Sequence, residues 1–275
     1  MNPPRRRLIV NADDFGRSAG INAAVVRAHR EGILTSASLM VNEPACEEAV
    51  AFARGNPALG VGLHLSLLCG RSALPREQIP GLVDERGEFS DRPVSVGCRY
   101  FFRRNLRDPL RAEIHAQFAR FEATGLQLDH VNGHLHLHLH PAILPLVMEQ
   151  VDRFGIRAVR LTRDPLRLNL RLARGHFLYR FSHATIHWVL SRRAARALAG
   201  RGLRHTRQVF GLLQNAHVDE DYLSKLLRVL PPGDSELYSH PSLDEFRNEF
   251  DALVSPRVKA LVASLGIQLI RYQDL

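Results

Sequence analysis

Residues 8–32 read LIVNADDFGRSAGINAAVVRAHREG. Leu8-Ile9-Val10 has the character of a short buried strand, and Gly20 to Gly32 carries apolar residues at helical spacing up to a stop at Gly32. The pair is a β-α unit, and the pattern recurs outward from it. Strands are predicted at Ser36–Val41, Leu59–Leu67, Leu128–Asn132, Ile156–Leu161, Val209–Leu212, Glu236–Tyr238 and Gln268–Ile270. Helices are predicted at Cys46–Arg54, Pro109–Thr124 and Ala142–Phe154, the last led by Pro141 at its first position. Repeated strand-helix order implies a parallel sheet, closed as a barrel or doubly wound, with chemistry at the C-terminal ends of the strands.

Length sets one large domain over residues 1–275 as the expectation, since α/β barrels run to about 250 residues as one domain. A polar stretch from Ser72 to Pro93 reads as a long loop or lid. Residues 164–208 break the alternation and read as an arginine-rich helical insertion bearing Phe177, Tyr179, Phe181 and Trp188. The hydrophobic fraction of 45% supports a substantial core without staples. Cys46, Cys69 and Cys98 form no pairing pattern, so neither a disulfide framework nor a zinc knuckle is expected. No apolar run reaches the length of a span or a signal core, which gives a cytoplasmic expectation, peripheral membrane contact included. The net charge of +9 favours anionic surfaces, yet no helix-turn-helix or RNA-binding signature is present, so nucleic acid is not expected as a partner. A homodimer is left open.

Four constellations stand at strand ends. Asp13 and Asp14 are adjacent carboxylates whose repulsion a divalent cation would relieve. His64 closes the run Gly62-Leu63-His64-Leu65, and the segment Asp129 to Pro141 puts five histidines within eleven positions, His130 to His140. In one continuous strand His134 and His140 would lie about 20 Å apart, so the strand must end inside the run, near Gly133. One carboxylate and two imidazoles are a common set for a catalytic divalent ion with open positions. His240, in Tyr238-Ser239-His240-Pro241, is placed to donate a proton to a leaving amine.

NADDFG, GLHL, HVNGHLHLH and YSHP together resemble the YdjC-like carbohydrate deacetylases over nearly the whole chain. The phrases AHREGILTSASLMV and GIRAVRLTRDP resemble that family's hopanoid-biosynthesis-associated branch, HpnK. The resemblance implies a distorted, incomplete (β/α) TIM-like barrel with one divalent metal, Mg or Zn, at its mouth. It implies Asp14, His64 and His134 as metal ligands, Asp13 as general base and His240 as general acid. Arg163, His136 and His138 are the expected substrate contacts, and Arg160 or Arg163 would orient Asp13 or touch the sugar. The implied reaction removes the N-acetyl group from an N-acetylglucosamine-type sugar, in the hopanoid branch one carried on bacteriohopanetetrol. A soluble chito-oligosaccharide substrate, a phosphoesterase and a non-catalytic sugar-binding barrel are the rivals. Asn132 stands where relatives often carry aspartate, which puts in doubt any role given to that carboxylate.

Overall fold

The computed structural model describes residues 5–275. Its strands are β1 (Arg6–Phe15), β2 (Ser36–Leu39), β3 (Gly60–Leu65), β4 (Leu128–Gly133), β5 (Gln208–Phe210), β6 (Gly233–Ser239) and β7 (Gln268–Leu269). All pair in parallel in the order β4-β3-β2-β1-β6-β5, and β7 pairs with the N-terminal half of β1. The sheet curls until its edges nearly meet. Between β4 and β5 runs the extended segment 157–163, whose Ala158 and Arg160 bond Val131 of β4 while Val159 bonds Arg204 and Arg163 accepts from Val209. The expected strand Ile156–Leu161 is thus present only as isolated bridges, and the result is the expected distorted α/β barrel.

Helices α1 (Ala19–Glu31) and α2 (Cys46–Arg54) connect β1, β2 and β3. Ser18 caps α1 by accepting from the Ile21 N–H. After β3 come α3 (Pro93–Phe102) and α4 (Arg107–Ala123). The predicted single helix Ala142–Phe154 is instead two short ones, α5 (Leu144–Met148) and α6 (Val151–Phe154). Pro145, which lacks an N–H, sits in the first turn of α5 and accounts for its late start, while the break falls at Glu149 and Gln150, where the Gln150 N–H turns to the Val147 carbonyl. The segment 72–92 contains no helix or strand, but it is anchored: Ile79, Leu82 and Phe89 enter the core, and Glu113 of α4 accepts from the Ala73 and Leu74 N–H groups.

Residues 164–208 form α7 (Leu166–Leu172) and α8 (Phe177–Ala199), and the chain ends through α9 (Glu220–Arg228), α10 (Arg247–Val254) and α11 (Pro256–Ser264) around β6 and β7. Beside α7, Asp164 is buried with Leu213 N–H on Oδ2 and no partner on Oδ1. Burial pushes its carboxyl up to about 7, against the pull of the Leu213 and Gly211 N–H groups. The folded chain therefore holds this proton more tightly than the unfolded one, so the carboxyl favours folding at acid pH and loses that contribution as pH rises through about 7. Asp164→Asn is expected to raise Tm at pH 8 and leave it nearly unchanged at pH 4. Thermal melts at the two pH values check this, and equal shifts at both would contradict it.

Candidate active site

In a regular strand Asp13 and Asp14 would face opposite sides of the sheet. The pairing of β1 with β2 shifts register between Ala12 and Phe15, and Asp14 adopts φ 65°, the left-handed region that costs a residue with a side chain. This bulge brings both carboxylates to the same mouth. β1 was expected to stop before Asn11; it continues to Phe15, with residues 8–15 buried. Burial of its polar residues is tolerable because each side chain finds a partner, Asn11 through Nδ2 alone.

Asp14, His64 and His134 converge, all buried. His134 Nδ1 lies 2.9 Å from Asp14 Oδ1, and His64 Nε2 lies 3.3 Å from the same oxygen and 3.4 Å from His134 Nδ1. Ligands bonded at about 2.1 Å to one ion stand about 3.0–3.4 Å apart, so the three atoms are spaced as edges of one coordination polyhedron. His64 sits at the tip of β3 and His134 at the end of β4, where a tight 3-10 turn (His134–Leu139) begins with Leu135 and His136 at φ 48° and 58°. That turn ends the strand, as the histidine spacing requires. Gly62, two residues before His64, lies against His130: a Cβ there would come within 2.5 Å of the ring.

Asn132 explains the tautomer. Its Oδ1 accepts from His64 Nδ1 at 2.7 Å, which leaves the Nε2 lone pair turned to Asp14 and His134. Its Nδ2 donates to Ser38 Oγ at 2.8 Å and to Asp13 Oδ1 at 3.1 Å. An amide serves both neighbours; an aspartate here would place a second carboxylate against Asp13. Asn132→Ala is expected to weaken metal affinity by about 10–100-fold, the usual cost of losing a partner that orients a ligand, and a chelator competition titration measures it.

Asp13 is gripped by Arg160, with Nη1 2.7 Å from Oδ2 and Nη2 2.9 Å from Oδ1, and Asn11 Nδ2 adds a bond to Oδ1 at 2.9 Å. Arg160 is fully buried, stacks over Tyr238 and also binds Glu236, which accepts from the Tyr272 hydroxyl. Burial would push the Asp13 carboxyl up, but Arg160 outweighs it and holds the group well below the usual carboxylate range. Asp14 is likewise held low against burial, by His134 and His64. His134, which burial would push down, is raised to about 10 by Asp14, so without a cation a proton occupies the triad. Asp13, Asp14 and Glu236 oppose the single buried guanidinium of Arg160, and a divalent ion in place of that proton balances the cluster. Donor types, spacing and charge therefore fit such an ion.

The His240 N–H donates to Glu249 Oε2 at 2.6 Å, and its ring meets those of Tyr238 and Phe246, with 19% of the side chain exposed. The other expected residues are dispersed. His136 bonds the Tyr238 hydroxyl and Thr162 and is buried beside His187, while His138 bonds the Arg160 carbonyl at 3.0 Å and is 1% exposed. Burial holds the His138 ring down at about 3, neutral throughout the physiological range. Arg163 is half-buried and, among the described residues, makes no side-chain hydrogen bond or ion pair. Asn11, Ser38, Glu236 and Tyr272 were not expected; Ser38 and Glu236 carry the signal of polarity inside predicted strands, and Asn11 and Tyr272, just beyond predicted strands, carry none. A cavity of about 820 Å³ opens beside the triad between Arg17, which pairs with Asp14, and the 69–91 segment, with Cys69, Arg71 and Arg99 in its wall.

Residues 7–264 match the family described as YdjC-like protein. A chitooligosaccharide deacetylase of Serratia marcescens is 32% identical over 278 aligned positions that cover 98% of each chain. Carbohydrate deacetylases of Brevibacillus brevis and Geobacillus stearothermophilus are each 43% identical, over 54% and 58% of this chain; the matches span 57% and 62% of those proteins' lengths. Among solved structures, a protein of Enterococcus faecalis V583 described as a candidate for cellobiose-phosphate cleavage superposes over 98% of both chains with a TM-score of 0.76 at 22% identity, a likeness of fold. With the barrel, the triad and these matches together, the chain belongs to the YdjC-like family.

Proposed function

We propose that this chain is a metal-dependent carbohydrate N-deacetylase that hydrolyses the acetamide of an N-acetylglucosamine-type sugar. The observation that carries the reading is the buried Asp14-His64-His134 triad set beside an Arg160-pinned Asp13. A divalent ion held by the triad would supply Lewis acidity and bring the pKa of water toward neutrality. Asp13 takes the proton from the attacking water: Oδ1 is occupied by three donors, whereas Oδ2 accepts only from Arg160 and keeps a lone pair free. His240, partly exposed at the mouth, gives a proton to the departing nitrogen, so that water and acetamide yield acetate and amine. The sugar occupies the cavity beside Arg17, while His136 and His138 brace Tyr238 and the Arg160 backbone next to Asp13.

Two substrates have support. The full-length match to a chitooligosaccharide deacetylase favours a soluble oligosaccharide. A lipid-linked sugar, such as an N-acetylglucosaminyl hopanoid, is favoured by the apolar side chains that α8 leaves in solvent: Phe177, Leu178, Phe181, Trp188 and Val189 are each more than half exposed. Among the described residues no helix is long and apolar enough to cross a membrane. The test is acetate release from chitobiose and from the glycolipid in detergent, each with chelator and then with added Mg or Zn. Release that chelator abolishes and metal restores is expected; release indifferent to chelator, or none from either substrate, would overturn the reading.

A further inference from the structure

Between the α7–α8 turn and α9 lies a cavity of about 720 Å³ that shares no lining residue with the one beside the triad. Its wall carries four permanent cations, Arg171, Arg174, Arg180 and Lys225, against the carboxylates of Asp219 and Asp221. Both carboxylates are engaged: Asp219 caps α9 through the Tyr222 N–H, and Asp221 pairs with Lys225. No carboxylate among the described residues lies within ion-pairing distance of Arg171, Arg174 or Arg180.

Arg180 is the unusual member. It is 2% exposed, its Nη1 and Nη2 bond the Ala173 and Arg174 carbonyls, and its Nε has no partner. The guanidinium thus pins the α7–α8 turn, where Gly175 and His176 both have left-handed φ, without any neutralising ion pair. The nearby Asp164 carboxyl, whose Oδ1 has no partner, feels the charge of Arg180 but makes no ion pair with it. A buried cation in this condition is costly unless an anion from outside completes the site. The exposed side chains of Arg171 and Arg174 reach the same opening, and guanidinium groups suit the oxygens of a phosphate.

We propose that this cavity is a phosphate-binding site, in which Arg171, Arg174 and Arg180 hold a phosphate or phosphate ester apart from the metal triad. It stands whether or not the deacetylase reading does. The phosphate could come from a lipid headgroup, given exposed Phe177 and Leu178 just beyond the turn, or from a free solute.

Calorimetric titration of the metal-loaded protein with inorganic phosphate, and co-sedimentation with vesicles of phosphatidylcholine alone or with phosphatidate, separate the two sources. Saturable binding of either is expected. The Arg171→Ser, Arg174→Ser double variant, altered only at exposed positions, should weaken it roughly tenfold or more with metal content unchanged. Arg180→Gln should abolish it in protein whose circular dichroism shows it folded. Binding of free phosphate, or of phosphatidate vesicles alone, would each support the site and name its source. Absence of both, or binding that the double variant leaves intact, would overturn it.

Discussion

Asp13→Asn is expected to leave one divalent ion bound per chain and to lower kcat by about 10²–10⁴, the range a positioned general base contributes. The proposed ligand atoms belong to Asp14, His64 and His134, so that donor set is untouched. What changes is the oxygen pair facing Arg160, Asn11 and Asn132. An amide offers one acceptor where the carboxylate offered two, and its NH₂ must face another donor. Some loss of Tm accompanies the loss of turnover. Metal analysis beside initial rates decides the matter: turnover within a few-fold of the parent would remove Asp13 from the base role, and loss of metal would show that its charge helps to hold the ion.

Arg160→Met should cost about 3–5 kcal/mol of stability, the largest folding effect expected of a single substitution here. Methionine fills much of the volume but strands Asp13 and Glu236 as buried carboxylates without a cation. A double variant, Arg160→Met with Glu236→Gln, removes one of the stranded charges and should recover part of the loss. Denaturant titrations of the three proteins test this, and a loss below about 1 kcal/mol for the single variant would mean that water or protonation relieves the charges.

The expectations that failed share a cause. Asn11, Asp13 and Asp14 read as the end of a strand because uncompensated carboxylates do not belong in a core. Their compensation, Arg160, lies 147 residues from Asp13 in sequence and becomes a neighbour only on barrel closure. The segment 157–163 lacks a regular ladder because it spans β4 and the stretch 204–209 in a curled sheet, a circumstance invisible in Ile156 to Leu161. Asn132 looked like a weakened aspartate; the amide is the one group that accepts from His64 and donates to Asp13.

The sequence by itself determined the β-α alternation, the placing of His64 and His134 at strand ends, and the break in the histidine run, because these depend on local periodicity, glycine and proline. Only the tertiary structure decided which histidines converge. His134 meets Asp14, while His136 and His138, at alternate positions beyond it, bond the Tyr238 hydroxyl and the Arg160 carbonyl. Identical imidazoles in one run received different roles because a left-handed turn at Leu135 and His136 sends each ring toward a different wall. Residue type and spacing supplied the donors. Their directions came from contacts more than a hundred residues apart, and direction separates a metal ligand from a buried brace.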